Sequence, residues 1–183
     1  MKLSVWRIVD VAKTKLFYTF IVLEPIMDIE IRKATISDLK FIQELNHKLF
    51  LKEYEEYDKA LICDWPFGEE GTEYFKERIE KDNGCALVAV ADGKAVGYMV
   101  GAILKRERYR NISKFAELEN TLVLTEHRSK GIGKKLYEKF KEWCKSKNVQ
   151  KICVEPTAQN TRAIEFYRKH GFKDYSLVLE TDL

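Results

Sequence analysis

The sequence predicts a mixed α/β fold, in which helices cover both faces of one mixed β-sheet. Three observations predict it. Apolar residues alternate along short strand-like runs, and elsewhere they recur with helical spacing. The two kinds of element follow each other in the order β-α-α-β-β-β-α-β-α-β. The chain has 183 residues, which suits one such domain around a single sizeable core.

The first predicted elements are one strand and two helices. Apolar and charged residues alternate over 28–33, which predicts a strand. Thr35 and Asp38 then form a start typical of a capping box. The helix that follows has an apolar face of four aliphatic residues, Leu39, Ile42, Leu45 and Leu49. An irregular acidic and aromatic stretch over 54–71 separates it from a short helix over 72–81.

A β-hairpin is predicted next. Two apolar runs, 85–90 and 95–104, flank the pair Asp92-Gly93, which is a strong hairpin signal. A further strand is expected over 114–124.

The last third of the chain is predicted to alternate helices and strands. A helix over 134–147 is indicated by an apolar stripe of Ile132, Leu136, Phe140 and Trp143. A strand over 151–155 and a helix over 160–170 follow, and Gly171 is the type of residue that ends a helix. A final strand is expected over 172–180.

A glycine-bearing turn lies between the strand over 114–124 and the helix that follows it. Its residues are Arg128, Ser129, Lys130, Gly131, Ile132 and Gly133. Such a turn leaves backbone N–H groups unpaired at the positive end of the helix dipole, which makes an anion site. Glycine has no Cβ, so it lets the backbone approach a phosphate closely. The six residues alone are equally consistent with an ordinary solvated turn.

This turn and a second motif together resemble the GNAT superfamily of N-acetyltransferases. The family pattern is Arg or Gln, two residues, Gly, one residue, and Gly or Ala after a hydrophobic strand, as at 115–133. The second motif is an Asn, a small residue, an aromatic-Tyr pair and Gly-Phe. It is matched by Asn160, Ala163, Phe166-Tyr167 and Gly171-Phe172. The two motifs cover roughly 115–172, whereas 28–104 fits the family more loosely and the first 26 residues do not fit.

The resemblance implies a fold and a cosubstrate. The fold would be a six- to seven-stranded, mostly antiparallel sheet with a splayed central parallel pair. The cosubstrate would be acetyl-CoA, with no metal. Its pyrophosphate would lie on the turn, and its pantetheine arm along the preceding strand. The expected contacts are Leu122, Val123, Leu124, Arg128, Ser129, Lys130, Gly131, Ile132, Gly133, Lys134 and Asn160.

Three residues are expected to carry proton transfers. Tyr167 matches the family tyrosine that protonates the departing sulfur. Glu117 resembles the glutamate base of part of the family, and Glu119, two positions along the strand, points to the same face. Two carboxylates on one face raise the proton affinity of one of them, which suits a base. Many family members use a water chain instead, so the base stays open.

Charge is distributed unevenly along the chain, and this bears on the acceptor. Residues 128–151 hold nine Lys or Arg and two Glu, for +7, and residues 53–73 hold eight acids and one Lys, for −7. The acidic segment also contains aromatic residues, which favours a cationic amine. The resemblance places the acceptor there. The candidates are a polyamine, a lysine, an amino sugar or a peptide amino terminus, on a small molecule or a protein.

The alternative function is a non-catalytic CoA-binding or nucleic-acid-binding module that uses the basic helix over 130–147. It would need exposed aromatic residues among the lysines. Phe140 and Trp143 lie instead on the apolar stripe, so no nucleic-acid partner is expected. Four cysteines, none of them in a C-x-x-C pair, and three scattered histidines give no metal spacing, and the cysteines suit a cytoplasmic protein with reduced thiols. A monomer or a homodimer is expected.

The amino-terminal segment 1–26 is predicted to be an extension of a domain over 27–183. Its apolar run 16–27 is too short to span a membrane and is interrupted by Glu24 and Pro25. No small-residue cleavage site follows it. The domain pattern begins at Asp28, directly after Met27. The extension is either dispensable or an extra strand.

Overall fold

A computed structural model describes residues 28–104 and 111–181. Within these ranges, five strands form one sheet in the order β1-β2-β3-β4-β5. The strands are β1 (Ile29–Lys33), β2 (Gly84–Ala91), β3 (Lys94–Leu104), β4 (Phe115–Val123) and β5 (Lys151–Cys153). The helices are α1 (Leu39–Glu56), α2 (Glu69–Glu80), α3 (Ile132–Ser146) and α4 (Thr161–Lys169).

The sheet is mixed, as the sequence predicts. Strands β1 to β4 pair in antiparallel order, whereas β4 and β5 are parallel. The turn between β2 and β3 has positive φ at both Asp92 (49°) and Gly93 (74°). Positive φ at both central residues is the requirement of a type I′ hairpin turn, so the Asp-Gly signal located this turn correctly.

Two hydrophobic cores lie on opposite faces of the sheet. One is formed with α3 and includes the fully buried Leu136 and Phe140. The other lies under α1 and α2 and includes Ile42, Phe75 and Tyr98. Helices therefore cover both faces, and each face has its own core. No helix in the described ranges combines the length and the apolar character needed to cross a bilayer.

The structure corrects one predicted strand. Residues 172–180 form no strand, and the described part of the sheet has five strands rather than six or seven. Leu177, Val178 and Leu179 are 72–83% exposed, so apolar burial does not hold this segment against the sheet. The pairing of the preceding strand, β5, covers only three residues. The expected extension 1–26 lies outside the described residues.

Candidate active site

The turn before α3 has the geometry of an anion site. Gly131 is the residue at the helix N-terminus, with φ 80°, and Ser129 also has positive φ (61°). The first helical bond from this turn runs from Lys135 N to Gly131 O. None of the backbone N–H groups of 129–134 donates a hydrogen bond to another described residue. Six donors are thus available at the positive end of a 15-residue helix.

The two glycines of the turn have different surroundings. A Cβ on Gly131 would meet no atom within 4 Å, so the space above it is open. A Cβ on Gly133 would lie 3.4 Å from the Phe166 ring of α4. Gly131 therefore matches the expected close approach of a phosphate, whereas a Cβ on Gly133 would make only an ordinary van der Waals contact with α4. Lys130, Lys134 and Lys135 are exposed around the turn.

Strands β4 and β5 separate beside this turn. They pair only at Phe115↔Lys151, Ala116↔Ile152 and Glu117↔Cys153, and over 118–123 β4 continues beside β3 without β5 as a partner on its other edge. Leu122 and Val123 lie in this open length, and Leu124 follows directly. Arg128 Nε donates to the Val123 carbonyl at 2.8 Å and ties the turn to the strand. The result is a slot with a free strand edge that leads to the anion site.

A β-bulge interrupts β4 at the point where the slot begins. Gly101 faces Leu118 and Val100 faces Asn120, so Glu119 has no partner on β3. The extra residue locally disrupts the ladder and re-aims side chains. Glu119 and Asn120 consequently both contact α2, through Arg78 and Tyr74 respectively.

The two predicted bases have different surroundings. Glu119 forms a bidentate ion pair with Arg78, at 2.6 and 2.8 Å, and accepts a further bond from Tyr74 Oη at 3.0 Å. The carboxylate of Glu117 accepts no side-chain hydrogen bond from another described residue. Burial raises the pKa of Glu117, and the charges of Glu155 and Glu119 raise it further. Glu117 is therefore the carboxylate that is free to accept a proton.

Tyr167 and Asn160 lie on and before the same helix, α4. Tyr167 is only 6% exposed, and its ring packs edge-on against Phe166 and Phe172. Burial raises the pKa of Tyr167, and the charge of Glu53 on α1 adds to the effect, so the phenol keeps its proton at neutral pH. Asn160 Oδ1 accepts a bond from Ala163 N at 3.1 Å and caps α4. This cap orients the helix that carries Tyr167.

A polar network beneath α1 was not predicted from the sequence. Asn46 is fully buried and donates to Tyr98 Oη at 2.8 Å and, over 3.4 Å, to Asn120 Oδ1. Asn120 Nδ2 donates in turn to Tyr74 Oη at 3.0 Å. One sequence signal could have revealed this network. Asn46 follows Ile42 by four residues, so it is a polar residue on the apolar face of α1.

A pocket of about 430 Å³ lies between α1 and α2 and reaches the bulge. Its wall is formed by three aromatic rings, three aliphatic side chains and one amide: Phe50, Trp65, Tyr74, Ala60, Leu61, Ile62 and Asn120. The acids of the predicted acceptor segment stay outside it, and Glu55, Glu56 and Asp58 are exposed. No group of three or more His, Cys, Asp or Glu in the described residues could hold a metal ion.

Comparison with known sequences establishes the class of this protein. The family model described as "Acetyltransferase (GNAT) family" matches residues 40–172. The chain therefore belongs to this acetyltransferase family.

Individual relatives agree with this class. An uncharacterised N-acetyltransferase of Methanocaldococcus jannaschii is 30% identical over 157 residues, which are 81% of this chain and 62% of that protein. An N-alpha-acetyltransferase of Sulfurisphaera tokodaii is 24% identical over 153 residues, which are 81% of this chain and 82% of the relative.

Solved structures show the same fold. A tetramutant of the BH1408 protein of Bacillus halodurans has a TM-score of 0.74 at 21% identity, covering 84% of this chain and 99% of that one. The aminoglycoside N-acetyltransferase AAC(6')-Iy, in complex with CoA, has a TM-score of 0.69 at 18% identity. It covers 88% of this chain and 99% of its own.

Proposed function

We propose that this protein is an N-acetyltransferase that moves the acetyl group of acetyl-CoA to a primary amine, by direct attack in a ternary complex. The observation that carries the proposal is the separation of β4 from β5 beside six free backbone N–H groups. A free strand edge suits the amide-bearing pantetheine arm, and free N–H groups at a helix start suit a pyrophosphate.

The cosubstrate contacts follow from this geometry. Backbone N–H groups of 129–134 bind the pyrophosphate, and exposed Lys130 and Lys134 add positive charge. Leu122, Val123 and Leu124 present backbone groups to the pantetheine arm along the open edge of β4. Arg128 keeps the turn and the strand in register through its bond to Val123. Asn160 serves the site by capping α4.

Two side chains handle the protons. Glu117 accepts a proton from the ammonium group of the acceptor, because its carboxylate is uncommitted and burial raises its pKa. The neutral amine nitrogen then attacks the acyl carbon. As the C–S bond breaks, the phenol of Tyr167 donates its proton to the departing sulfur, and the second proton lost by the nitrogen as it becomes an amide passes through solvent and restores the phenol. A backbone N–H near Leu122 polarises the carbonyl during attack. Glu119 keeps α2 against β4 through Arg78.

The acceptor is an amine that is cationic before it loses its proton. The acidic surface formed by residues 53–73 favours approach of such a group over short distances. Relatives support two of the predicted acceptor types. An aminoglycoside N(6')-acetyltransferase of Salmonella typhimurium is 26% identical over 107 residues, and the S. tokodaii relative is an N-alpha-acetyltransferase.

The experiment that tests this function is thiol release from acetyl-CoA in the presence of a panel of primary amines. Release that depends on the amine, with a matching acetylated product by mass spectrometry, supports the proposal. A folded protein that binds CoA but releases no thiol with any amine would favour a non-catalytic CoA-binding module. Nucleic-acid binding is disfavoured, because Phe140 is fully buried rather than exposed among the lysines of α3.

A further inference from the structure

The pocket between α1 and α2 is apolar, although the segment around it is acidic. The Trp65 ring stacks on Phe50 with centroids 6.0 Å apart and meets Tyr74 edge-on at 5.3 Å. None of the seven lining residues is charged. The negative charge of the segment is therefore outside the pocket, and the surface inside it suits an apolar group.

Asn120 supplies the polar group of this pocket. Its Nδ2 donates to Tyr74 Oη, and its Oδ1 accepts only a long bond of 3.4 Å from Asn46. An amide oxygen has two lone pairs, so Oδ1 can accept a further N–H bond from a ligand. Asn120 directly follows the bulge at Glu119, where β4 has already left β5. The pocket thus adjoins the slot proposed for the acetyl-bearing arm.

We infer that this pocket selects the acceptor, and that it takes a primary amine bearing one compact apolar or aromatic group rather than a polycation. The inference rests on the proposed function. A volume of about 430 Å³ is within the range of small-molecule sites and accommodates a ring. A polyamine or an amino sugar has less apolar surface to bury against the aliphatic and aromatic lining, so it would gain less from the pocket than a compact ring does. The acids outside the pocket attract the single ammonium group.

The test compares three amines in the thiol-release assay, 2-phenylethylamine, ethylamine and spermidine. The first two have the same charge and differ by a ring. We expect kcat/KM for 2-phenylethylamine to exceed that for ethylamine at least about tenfold, because one apolar group in a fitting pocket discriminates by that order. Spermidine is expected to be no better than ethylamine. A preference for spermidine or ethylamine overturns the inference.

Two variants test whether the preference for a ring-bearing amine arises in this pocket. Ala60→Trp fills it, whereas Lys59→Trp adds the same ring at an exposed neighbour that does not line it. The ratio of kcat/KM for 2-phenylethylamine to that for ethylamine should fall at least about tenfold in Ala60→Trp, and Lys59→Trp should keep it. An unchanged ratio in Ala60→Trp overturns the assignment.

Separate controls test whether each variant folds and whether the protein has the proposed function. Circular dichroism and thermal unfolding verify each variant, and if Ala60→Trp does not fold, Leu61→Ala replaces it, since enlarging the pocket should also lower the ratio. An unchanged ratio in Leu61→Ala would equally count against the pocket. Absence of turnover with all three amines and the rest of the panel contradicts the proposed function itself. Turnover without the ring preference contradicts only this inference.

Discussion

Two glutamates on one strand have different roles because their surroundings differ. Glu117 and Glu119 lie two positions apart on β4, and both lie near Arg78. Arg78 binds Glu119 directly and leaves Glu117 free of a hydrogen-bonded partner among the described side chains. The bulge at Glu119 brings the next residue, Asn120, to the same side of the strand, so both side chains contact α2.

Replacing Glu119 by Gln is expected to lower the free energy of unfolding by about 3–5 kcal/mol, since Arg78 would stay buried without its counter-charge. Both side chains of this pair are less than 15% exposed. The control is Lys81→Ala, which breaks the more exposed Glu77–Lys81 pair and should cost less than about 1 kcal/mol. Urea unfolding measures both, and equal losses would contradict a structural role for Glu119.

Replacing Glu117 by Gln is expected to lower kcat/KM by about 10²-fold or more, because the base is lost. Its pKa is raised above the ordinary 4.5, so in the parent enzyme activity should rise with pH through a pKa above that value. The variant should lose this rise. Burial disfavours the charged form, so stability should not fall. A pH–rate profile measures the change in activity, and Glu30→Gln, at an exposed position of β1, is the control. An unchanged profile would indicate a water chain as base.

Replacing Tyr167 by Phe removes only a hydroxyl group from a buried ring. We expect kcat to fall about 10²-fold or more while acetyl-CoA binding stays nearly unchanged, because the proton is donated only as the C–S bond breaks. Its high pKa keeps the donor protonated at working pH. Single-turnover kinetics and CoA calorimetry separate the two effects. An equal kcat would mean that solvent or another residue supplies the proton.

The turn before α3 is an element whose function depends on backbone rather than side chains. Gly131→Val should lower CoA affinity at least tenfold, about 1.4 kcal/mol, because a branched side chain would fill the open space above the turn. Gly93→Val is a matched control. Gly93 also has positive φ and no atom within 4 Å of a Cβ, but it lies in the β2–β3 hairpin. Both variants should lose similar stability, and only the first should lose affinity in CoA calorimetry. Equal CoA affinity in the two would contradict the pyrophosphate assignment.

On the scale of the whole molecule, the described residues contain both the proposed cosubstrate site and the acceptor pocket. The family match begins at residue 40, and the first strand begins at Ile29. A shortened chain that starts at Met27 is therefore expected to fold and to bind CoA as the full chain does. Circular dichroism and CoA calorimetry compare the two. Insolubility or lost binding would show that 1–26 is a structural strand or a contact between subunits.

The sequence predicted most elements of the fold because their signals are local. The Asp92-Gly93 turn and the stripe of Leu136 and Phe140 each needed only neighbouring residues. The strand over 172–180 was wrong, because apolar residues form a strand only if a paired edge and a core are available to them. Such partners are a property of the whole fold, and local composition does not contain them.

The sequence by itself determined the family, the turn at 128–133 and the candidate residues Glu117 and Tyr167. Only the tertiary structure decided which groups are free to act. Arg78 lies 41 residues from Glu119 along the chain, and Asn46 lies 74 residues from Asn120. Contacts between such distant residues depend on how helices pack on a twisted, bulged sheet. The commitment of Glu119 and the apolar pocket beside Asn120 became visible only when these elements were brought together.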